Sequence, residues 1–269
     1  MSVAEAFEKA RSEDRAVLVG YLPAGFPDVE GGIDALLTMV EAGCDVIEVG
    51  VPYTDPVMDG PTIQAAAQQA LESGFRIADV FRTVEAVAAT GTPTVVMTYW
   101  NPVERYGVDR FAQALADAGG AGLITPDLTP DYAPEWSEAA DERGLDKIFL
   151  VAPSSTDARI ESTVAASRGF VYATAVMGVT GARASTSDLA GPLVARTKRA
   201  ASAHQLPVGV GLGVSSGDQA AEVASYADAV IVGSAFVRTL LDHPDDRAAG
   251  LAALRALTED LAAGVRRRA

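Results

Sequence analysis

The segment Glu48–Gln64 reads E-V-G-V-P-Y-T-D-P-V-M-D-G-P-T-I-Q, and it largely decides the fold. The apolar run that leads into it, residues 44–49, is typical of a buried strand. The glycines and prolines between Gly50 and Pro61 then exclude a continuous strand or helix. Pro61 is well placed to open a helix, because proline is favoured at the first helical position. We therefore predict a strand, a loop and a helix, with Glu48 at the carboxyl end of the strand.

Glu48 is a candidate acid/base because of its place in this strand. It shares a face with Val46, whereas Ile47 and Val49 point to the opposite face. If both faces are covered, the carboxyl group has little access to water, and burying an unpaired carboxylate is costly. Such a group is paired, neutral or poised for proton transfer. A buried ion pair is the alternative, although few basic residues stand at predicted strand ends.

The rest of the chain alternates short apolar strands with amphipathic helices. After a helix over residues 2–13, strands are predicted at 16–21, 44–49, 94–98, 122–125, 147–151, 170–175, 207–211 and 229–232. Such strands indicate a parallel sheet covered on both faces. Eight of them in 269 residues fit an α/β fold of the closed (β/α)8 TIM barrel type, with an extra N-terminal helix. An open sheet would carry a G-x-G-x-x-G turn after its first strand. Without a linker or a break in composition, residues 1–269 are predicted to be a single domain.

The overall composition limits the classes of partner. With 36 acidic and 21 basic residues, the formal net charge of −15 argues against nucleic acids and anionic membranes. The lone Cys44 excludes an intramolecular disulfide and suits a reducing compartment. His204 and His243 have no ligand cluster near them in the sequence, so no metal site is predicted. No stretch is long enough to span a bilayer and no signal peptide is recognised, so we expect a cytoplasmic protein.

Three predicted loops at the barrel mouth carry glycines suited to a phosphate. Gly181 follows strand six, Gly211 and Gly213 follow strand seven, and Gly233 with Ser234 follows strand eight and opens a helix. Backbone N–H groups at a helix N-terminus bind anions, glycine allows a close approach, and these are the loops where barrels commonly hold phosphate. A tight turn explains any one of these glycines equally well. The three loops together favour a phosphate site, which would also offset the unfavourable net charge.

A second carboxylate and an apolar wall complete the predicted site. Asp59, on the loop after Glu48, could hold a different protonation state from Glu48. Capping of the next helix would explain Asp59 alone, and a turn would explain Asp55. Tyr172 is predicted to face inward, where its hydroxyl could bind a substrate. Core packing explains each apolar residue alone, but together they indicate a flat hydrophobic substrate body: Tyr21, Met97, Trp100, Leu123, Val151 and Leu212.

The motif from Glu48 to Thr62 closely resembles the signature of the tryptophan synthase alpha subunit family, and the glycine loops match that family in order and spacing. The resemblance covers essentially the whole chain. It implies a lyase of L-tryptophan biosynthesis that cleaves indole-3-glycerol phosphate to indole and glyceraldehyde 3-phosphate by a retro-aldol reaction. It further implies that Glu48 is the acid/base and that Asp59 accepts a hydrogen bond from the indole N–H. Tyr172 would contact the substrate, and Thr180 would lie on a mobile loop that closes over it.

The resemblance also implies a partner, and the chain departs from the family pattern in places. The family works in an alpha2beta2 complex whose beta subunit carries pyridoxal phosphate and receives indole, so no cofactor is expected in this chain. Asp55 and the Thr180 loop would lie toward that subunit. Tyr21 stands where the family often has phenylalanine, Thr54 replaces a common serine, and Met58 fills a position that is usually small.

Two other functions remain open from the residues alone. The first is another phosphate-binding barrel enzyme, such as a sugar-phosphate isomerase or an indole-glycerol-phosphate synthase. A metal-dependent epimerase would need histidines at the ends of predicted strands, and neither His204 nor His243 stands there. An indole-glycerol-phosphate synthase would need a lysine at a strand end, whereas Lys147 stands at the start of its strand. The second is a non-catalytic phosphate-binding barrel that activates a partner. Replacing Glu48 by glutamine discriminates, because a protein that only binds would still activate its partner.

Overall fold

The structure, a computed structural model, describes residues 2–174 and 187–267 of the chain. Eight strands in these ranges pair in sequence order, all in parallel, and the last pairs with the first to close a barrel. The predicted (β/α)8 barrel is confirmed. The strands are β1 (Val17–Pro23), β2 (Val46–Gly50), β3 (Thr94–Met97), β4 (Gly122–Thr125), β5 (Asp146–Val151), β6 (Val171–Thr174), β7 (Val208–Gly211) and β8 (Ala229–Val232).

Helices surround this barrel on its outer face. The predicted N-terminal helix is present as α1, and one helix, α5, was not predicted. Pro102 lies in the first turn of α5, where a missing N–H costs no helical hydrogen bond. The helices are α1 (Val3–Ser12), α2 (Val29–Ala42), α3 (Pro61–Glu72), α4 (Ile77–Ala88), α5 (Trp100–Tyr106), α6 (Val108–Asp117), α7 (Pro134–Arg143), α8 (Asp157–Ala166), α9 (Ser187–Ala201), α10 (Gly217–Ala224), α11 (Ser234–Leu241) and α12 (Arg247–Val265). None of those in the described ranges combines the length and apolarity needed to cross a membrane.

Local sequence signals set the ends of the helices next to the site. Asp28 caps α2, and its Oδ1 accepts a hydrogen bond of 2.7 Å from the Gly31 N–H. Gly43 ends the same helix with a φ of 117°, in the left-handed region that glycine favours. Pro61 is the first residue of α3, as predicted. Of these signals, Pro61 sets the end of the loop that carries Asp59.

Strand side chains alternate between an inner and an outer core. The outer core lies between the barrel and its helices and includes Ile47 and Val49. The inner core fills the barrel toward the amino ends of the strands, where α1 closes it and Phe7 lies 5.7 Å from Phe170 between ring centroids. The inner core consists of Val3, Ala6, Phe7, Ala10, Val17, Val19, Val46, Val95, Ile124, Ile148, Phe170, Ala229 and Ile231. Because this end is filled, space for a ligand is found at the opposite end.

Candidate active site

A cavity of about 780 Å³ opens at the carboxyl ends of the strands. This is the end at which barrel enzymes bind their substrates. The cavity brings together both predicted carboxylates and every predicted phosphate-loop residue within the described ranges. These are Glu48, Asp59, Gly211, Gly213, Gly233 and Ser234. Thr180 and Gly181 lie outside the described residues, so the roles given to them stay predictions.

Glu48 lies on the inner face of β2, as the strand parity predicted. Its side chain is buried, at 1% exposure, and Val46 on the same face belongs to the inner core. Its Oε2 atom finds no hydrogen-bond partner among the described residues. Burial, and to a lesser extent the nearby Asp59 carboxylate, raise the pKa of Glu48 to about 8. The group is therefore protonated near neutral pH and available as an acid.

Asp59 lies half-buried on the loop between β2 and α3. The N-cap of α3 is Gly60, which makes no side-chain capping bond, so Asp59 does not serve as the cap. Instead, its backbone carbonyl accepts a 2.7 Å hydrogen bond from Gln64 Nε2, while its side chain lines the cavity. Burial raises the pKa of Asp59 above its ordinary value. The helix-cap explanation for this residue is therefore wrong.

Two phenols line the cavity beside the carboxylates, and glycines make room for them. A Cβ atom on Gly211 would overlap the Tyr172 hydroxyl, and one on Gly50 would overlap the Tyr21 hydroxyl. Burial, followed by the charge of Glu48, raises the pKa of Tyr172. Burial raises the pKa of Tyr21 as well, with Asp59 and Glu48 adding to it. Both hydroxyls keep their protons at neutral pH and can donate hydrogen bonds into the cavity.

The apolar wall agrees only in part with the prediction. Met97, Val151 and Leu212 line the cavity together with Tyr21. Leu123 does not, and its assignment is wrong: its side chain is fully buried in the outer core, because Ile124 holds the inward position in β4.

The assignment of Trp100 is also wrong, because this residue starts α5 and packs in the outer core. Sequence reasoning missed Leu150 and Thr174, which line the cavity. Leu150 lies two residues after the inward-facing Ile148, and Thr174 two residues after the inward-facing Tyr172. The alternation of side chains along a strand therefore predicts that both face inward.

The glycine loops have the geometry of an anion site. Ser234 is the first residue of α11, and the N-cap Gly233 makes no side-chain capping bond. The first N–H groups of a helix have no partner within the helix, and they carry its positive dipole end. Gly213 has a φ of 73°, which side-chain-bearing residues rarely adopt. A phosphate at this side of the cavity would meet N–H donors without a basic side chain.

The remaining predicted residues lie at the rim or at the far end. Asp55 is exposed, and its Oδ2 accepts a 2.5 Å hydrogen bond from Thr54 Oγ1. Lys147 pairs with Asp141 at 2.8 Å at the amino end of β5, away from the mouth. No group of three His, Cys, Asp or Glu side chains suited to a metal ion occurs within the ranges that the structure describes.

The chain is similar to known proteins over nearly its full length. The family model for the tryptophan synthase alpha chain matches residues 7–266. The tryptophan synthase alpha chain of Acidothermus cellulolyticus is 62% identical over 266 residues, covering 99% of this chain and 97% of its own length. That of Salinispora arenicola is 64% identical over 261 residues, covering 97% and 96%.

A solved structure of Mycobacterium tuberculosis tryptophan synthase matches with a TM-score of 0.91 and 56% identity, covering 98% of both chains. Tryptophan synthase subunit alpha from Legionella pneumophila matches with a TM-score of 0.86 at 30% identity, again covering 98% of both chains. These findings confirm the resemblance, and with it the predicted cleavage of indole-3-glycerol phosphate to indole and glyceraldehyde 3-phosphate. The chain belongs to the tryptophan synthase alpha chain family.

Proposed function

We propose that Glu48 and Asp59 divide the cleavage of indole-3-glycerol phosphate between them, Glu48 as acid/base and Asp59 as electrostatic stabiliser. The observation that carries the proposal is the buried Glu48, whose Oε2 has no hydrogen-bond partner among the described residues, in one cavity with Asp59 and the glycine loops. A pKa of about 8 keeps Glu48 protonated at neutral pH, as a proton donor to carbon requires. Two carboxyl groups in different surroundings can thus hold different protonation states at one pH.

The reaction begins when Glu48 donates its proton to the ring carbon that carries the glycerol chain. The indole nitrogen then bears positive charge, and the Asp59 carboxylate stabilises it by accepting the N–H hydrogen bond. The carbon–carbon bond breaks and its electron pair restores the aromatic ring. The Glu48 carboxylate assists the loss of the proton from the adjacent glycerol hydroxyl, which becomes the aldehyde of glyceraldehyde 3-phosphate. The proton count balances, because Glu48 gives one proton and regains one.

The rest of the cavity orients the substrate. The N-terminus of α11 and the backbone at Gly211, Gly213 and Gly233 would bind the phosphate, together with Gly181. Met97, Val151 and Leu212 would contact the indole ring, and Tyr21 and Tyr172 would contact the substrate through ring and hydroxyl. Thr180 would also bind the substrate, and its loop would close over the cavity. Local donors of this kind are needed because the net charge of −15 repels an anionic substrate at long range.

The loop that carries Asp59 also suits a partner. Val57 is 78% exposed and Met58 39%, although both are apolar, and Asp55 is exposed beside them. We infer a complex of the alpha2beta2 type with a tryptophan synthase beta subunit, which would carry the pyridoxal phosphate, while this chain itself needs no cofactor. A cytoplasmic location and a single domain over residues 1–269 belong to the same proposal.

An indole assay tests the proposal. The purified chain is incubated with indole-3-glycerol phosphate, with and without a beta subunit, and indole is measured. We expect indole in both cases, and more with the partner present. Glu48→Gln should abolish it, whereas a protein that only binds would still stimulate the beta subunit unchanged. Absence of indole in both arms for the wild-type chain would contradict the proposal.

A further inference from the structure

We propose that the Tyr99 hydroxyl is a positioning group for Asp59, because it binds the backbone of the residues just before this carboxylate. The inference rests on the role proposed above for Asp59. Tyr99 does not line the cavity and stands outside the predicted site. In sequence it lies about 40 residues after the loop that it holds.

The contact is made by two consecutive N–H groups. The N–H of Val57 donates to Tyr99 Oη at 3.2 Å, and the N–H of Met58 donates to the same oxygen at 3.0 Å. Successive backbone N–H groups that converge in this way form a concave site for an electron-rich atom. The next residue is Asp59, so the phenol oxygen fixes the backbone from which the catalytic carboxylate projects.

Tyr99 itself is held firmly. Its side chain is buried, at 6% exposure, and it lies two residues after the end of β3, the strand that pairs with β2. The Tyr53 ring packs on it with 5.2 Å between centroids, and Tyr53 Oη accepts a 3.0 Å hydrogen bond from Asn101 Nδ2. The next residue, Trp100, donates its N–H to Asp127 Oδ1 at 2.9 Å. The Tyr99 ring is therefore held in a fixed position next to β3, the strand beside β2.

The part of the loop just before Asp59 needs such a fixed point, because Tyr53 anchors only the earlier part of the loop. Val57 and Met58 expose much of their apolar surface, and Pro56 before them has no N–H to donate. On the other side, Gln64 Nε2 in α3 donates a hydrogen bond to the backbone carbonyl of Asp59, and this bond holds the loop to the start of α3. Tyr99 and Gln64 thus hold the backbone on either side of the carboxylate. Removal of the hydroxyl would release one side and allow Asp59 to drift from the indole nitrogen.

Tyr99→Phe tests this directly, because it keeps the ring and removes only the acceptor. We expect kcat to fall about 10- to 100-fold, as for a displacement of about 1 Å at a catalytic group, with a smaller change in KM. Glu48 would lose the part of its raised pKa that comes from Asp59, so the alkaline limb of the pH profile should move to lower pH. Faster hydrogen exchange at the Val57 and Met58 amides would report the released loop.

Two variants measured in parallel separate the possible failures. Tyr226→Phe is the matched control, since this buried hydroxyl at the other end of the barrel has no partner among the described residues, and its kcat should match the wild type. Asp59→Asn tests the proposed function itself. If Asp59→Asn is inactive but Tyr99→Phe equals the wild type, the inference fails and the proposed function stands. An active Asp59→Asn would overturn the proposed function. Rapid exchange of both loop amides in the wild-type chain would overturn the inference even if Tyr99→Phe does not fold.

Discussion

The acidic groups at the two ends of the barrel differ in how they are paired. At the amino ends of the strands, Asp45 makes a two-pronged ion pair with Arg15, with distances of 2.7 and 2.9 Å, and Asp228 pairs with Lys198 at 2.9 Å. At the carboxyl ends, Glu48 is buried and its Oε2 has no partner in the described part of the chain. The difference separates ion pairs that hold the barrel together from the carboxyl group to which we assign the proton transfer.

The paired carboxylates at the amino ends do more than neutralise a cation. Asp45 Oδ2 accepts a hydrogen bond from the Leu18 N–H at 2.9 Å, and Asp228 Oδ2 accepts one from the Val208 N–H at 3.0 Å. Each carboxylate therefore ties the start of a strand. Among the described residues Glu48 Oε2 has no such partner, and burying a polar atom without one costs stability. This energetically unfavourable group lies at the end of the barrel where the cavity opens.

Glu48→Gln is the sharpest way to break the comparison and has the largest expected effect. Glutamine keeps the shape but cannot donate and regain the proton, so we expect the rate of indole formation to fall by about 10²- to 10⁴-fold. The free energy of unfolding should not fall, because the substitution removes a buried ionisable group. The exposed Glu85→Gln serves as the control, with unchanged rate and stability. A Glu48→Gln variant that is destabilised and still active would reverse the roles given to the two ends.

Asp45→Ala should show the opposite behaviour. Removal of Asp45 leaves Arg15, at 3% side-chain exposure, with Glu13 as its remaining ion-pair partner at 2.6 Å, and we expect a loss of about 2–3 kcal/mol in the free energy of unfolding. Urea denaturation measures this loss, and kcat per folded molecule should be unchanged. Glu41→Ala removes one partner of the exposed pair with Arg255 and should cost less than about 1 kcal/mol. Equal losses in the two variants would mean that burial of the Arg15 pair has no special weight.

The pH dependence of stability should also differ between the two ends. The pKa of Glu48 is raised by burial to about 8, from an ordinary value of 4.5. The stability that Glu48 contributes is therefore fully present below pH 4.5 and is lost as the pH rises through about 8. The reason is that, between these values, the folded state binds a proton that the unfolded state has released. The free energy of unfolding should fall with rising pH in this window, with a slope of at most about 1.4 kcal/mol per pH unit.

Urea denaturation at several pH values measures this slope, and the comparison with Glu48→Gln isolates its source. The variant should lack this component of the slope, whereas Glu85→Gln should keep it. An identical dependence in wild type and Glu48→Gln would show that Glu48 is not held neutral by the fold.

The sequence was sufficient for features that local chemistry decides. Asp28 and Gly43 mark the ends of α2 because capping and a left-handed φ depend on a few neighbouring residues. The inward direction of Glu48 follows from the parity it shares with Val46. By contrast, the contact of Tyr99 with Val57 joins residues 42 positions apart, and nothing in either segment indicates it.

The outer and inner faces of short strands are also hard to distinguish from sequence. In β4, which reads G-L-I-T, both faces are apolar, so periodicity cannot tell which of Leu123 and Ile124 points inward. The choice is made by pairing with the neighbouring strands, where Leu123 lies opposite Val96 and Ile124 opposite Met97. In β5, Val151 was predicted to lie at the cavity and Leu150 was not, although both line it.

A pair of leucine-to-valine changes sharpens this last distinction and has the smallest expected effect. Leu123→Val removes one methylene from the outer core, so we expect the free energy of unfolding to fall by about 1 kcal/mol without a change in KM. Leu150→Val makes the same chemical change at the cavity wall, where a lost substrate contact of about 0.8 kcal/mol would raise KM up to fourfold or so. Denaturation and steady-state kinetics on both variants decide the matter. A rise in KM for Leu123→Val as large as that for Leu150→Val would mean that the outer core is not isolated from the substrate, and the division of the barrel into a structural and a functional part would need a different boundary.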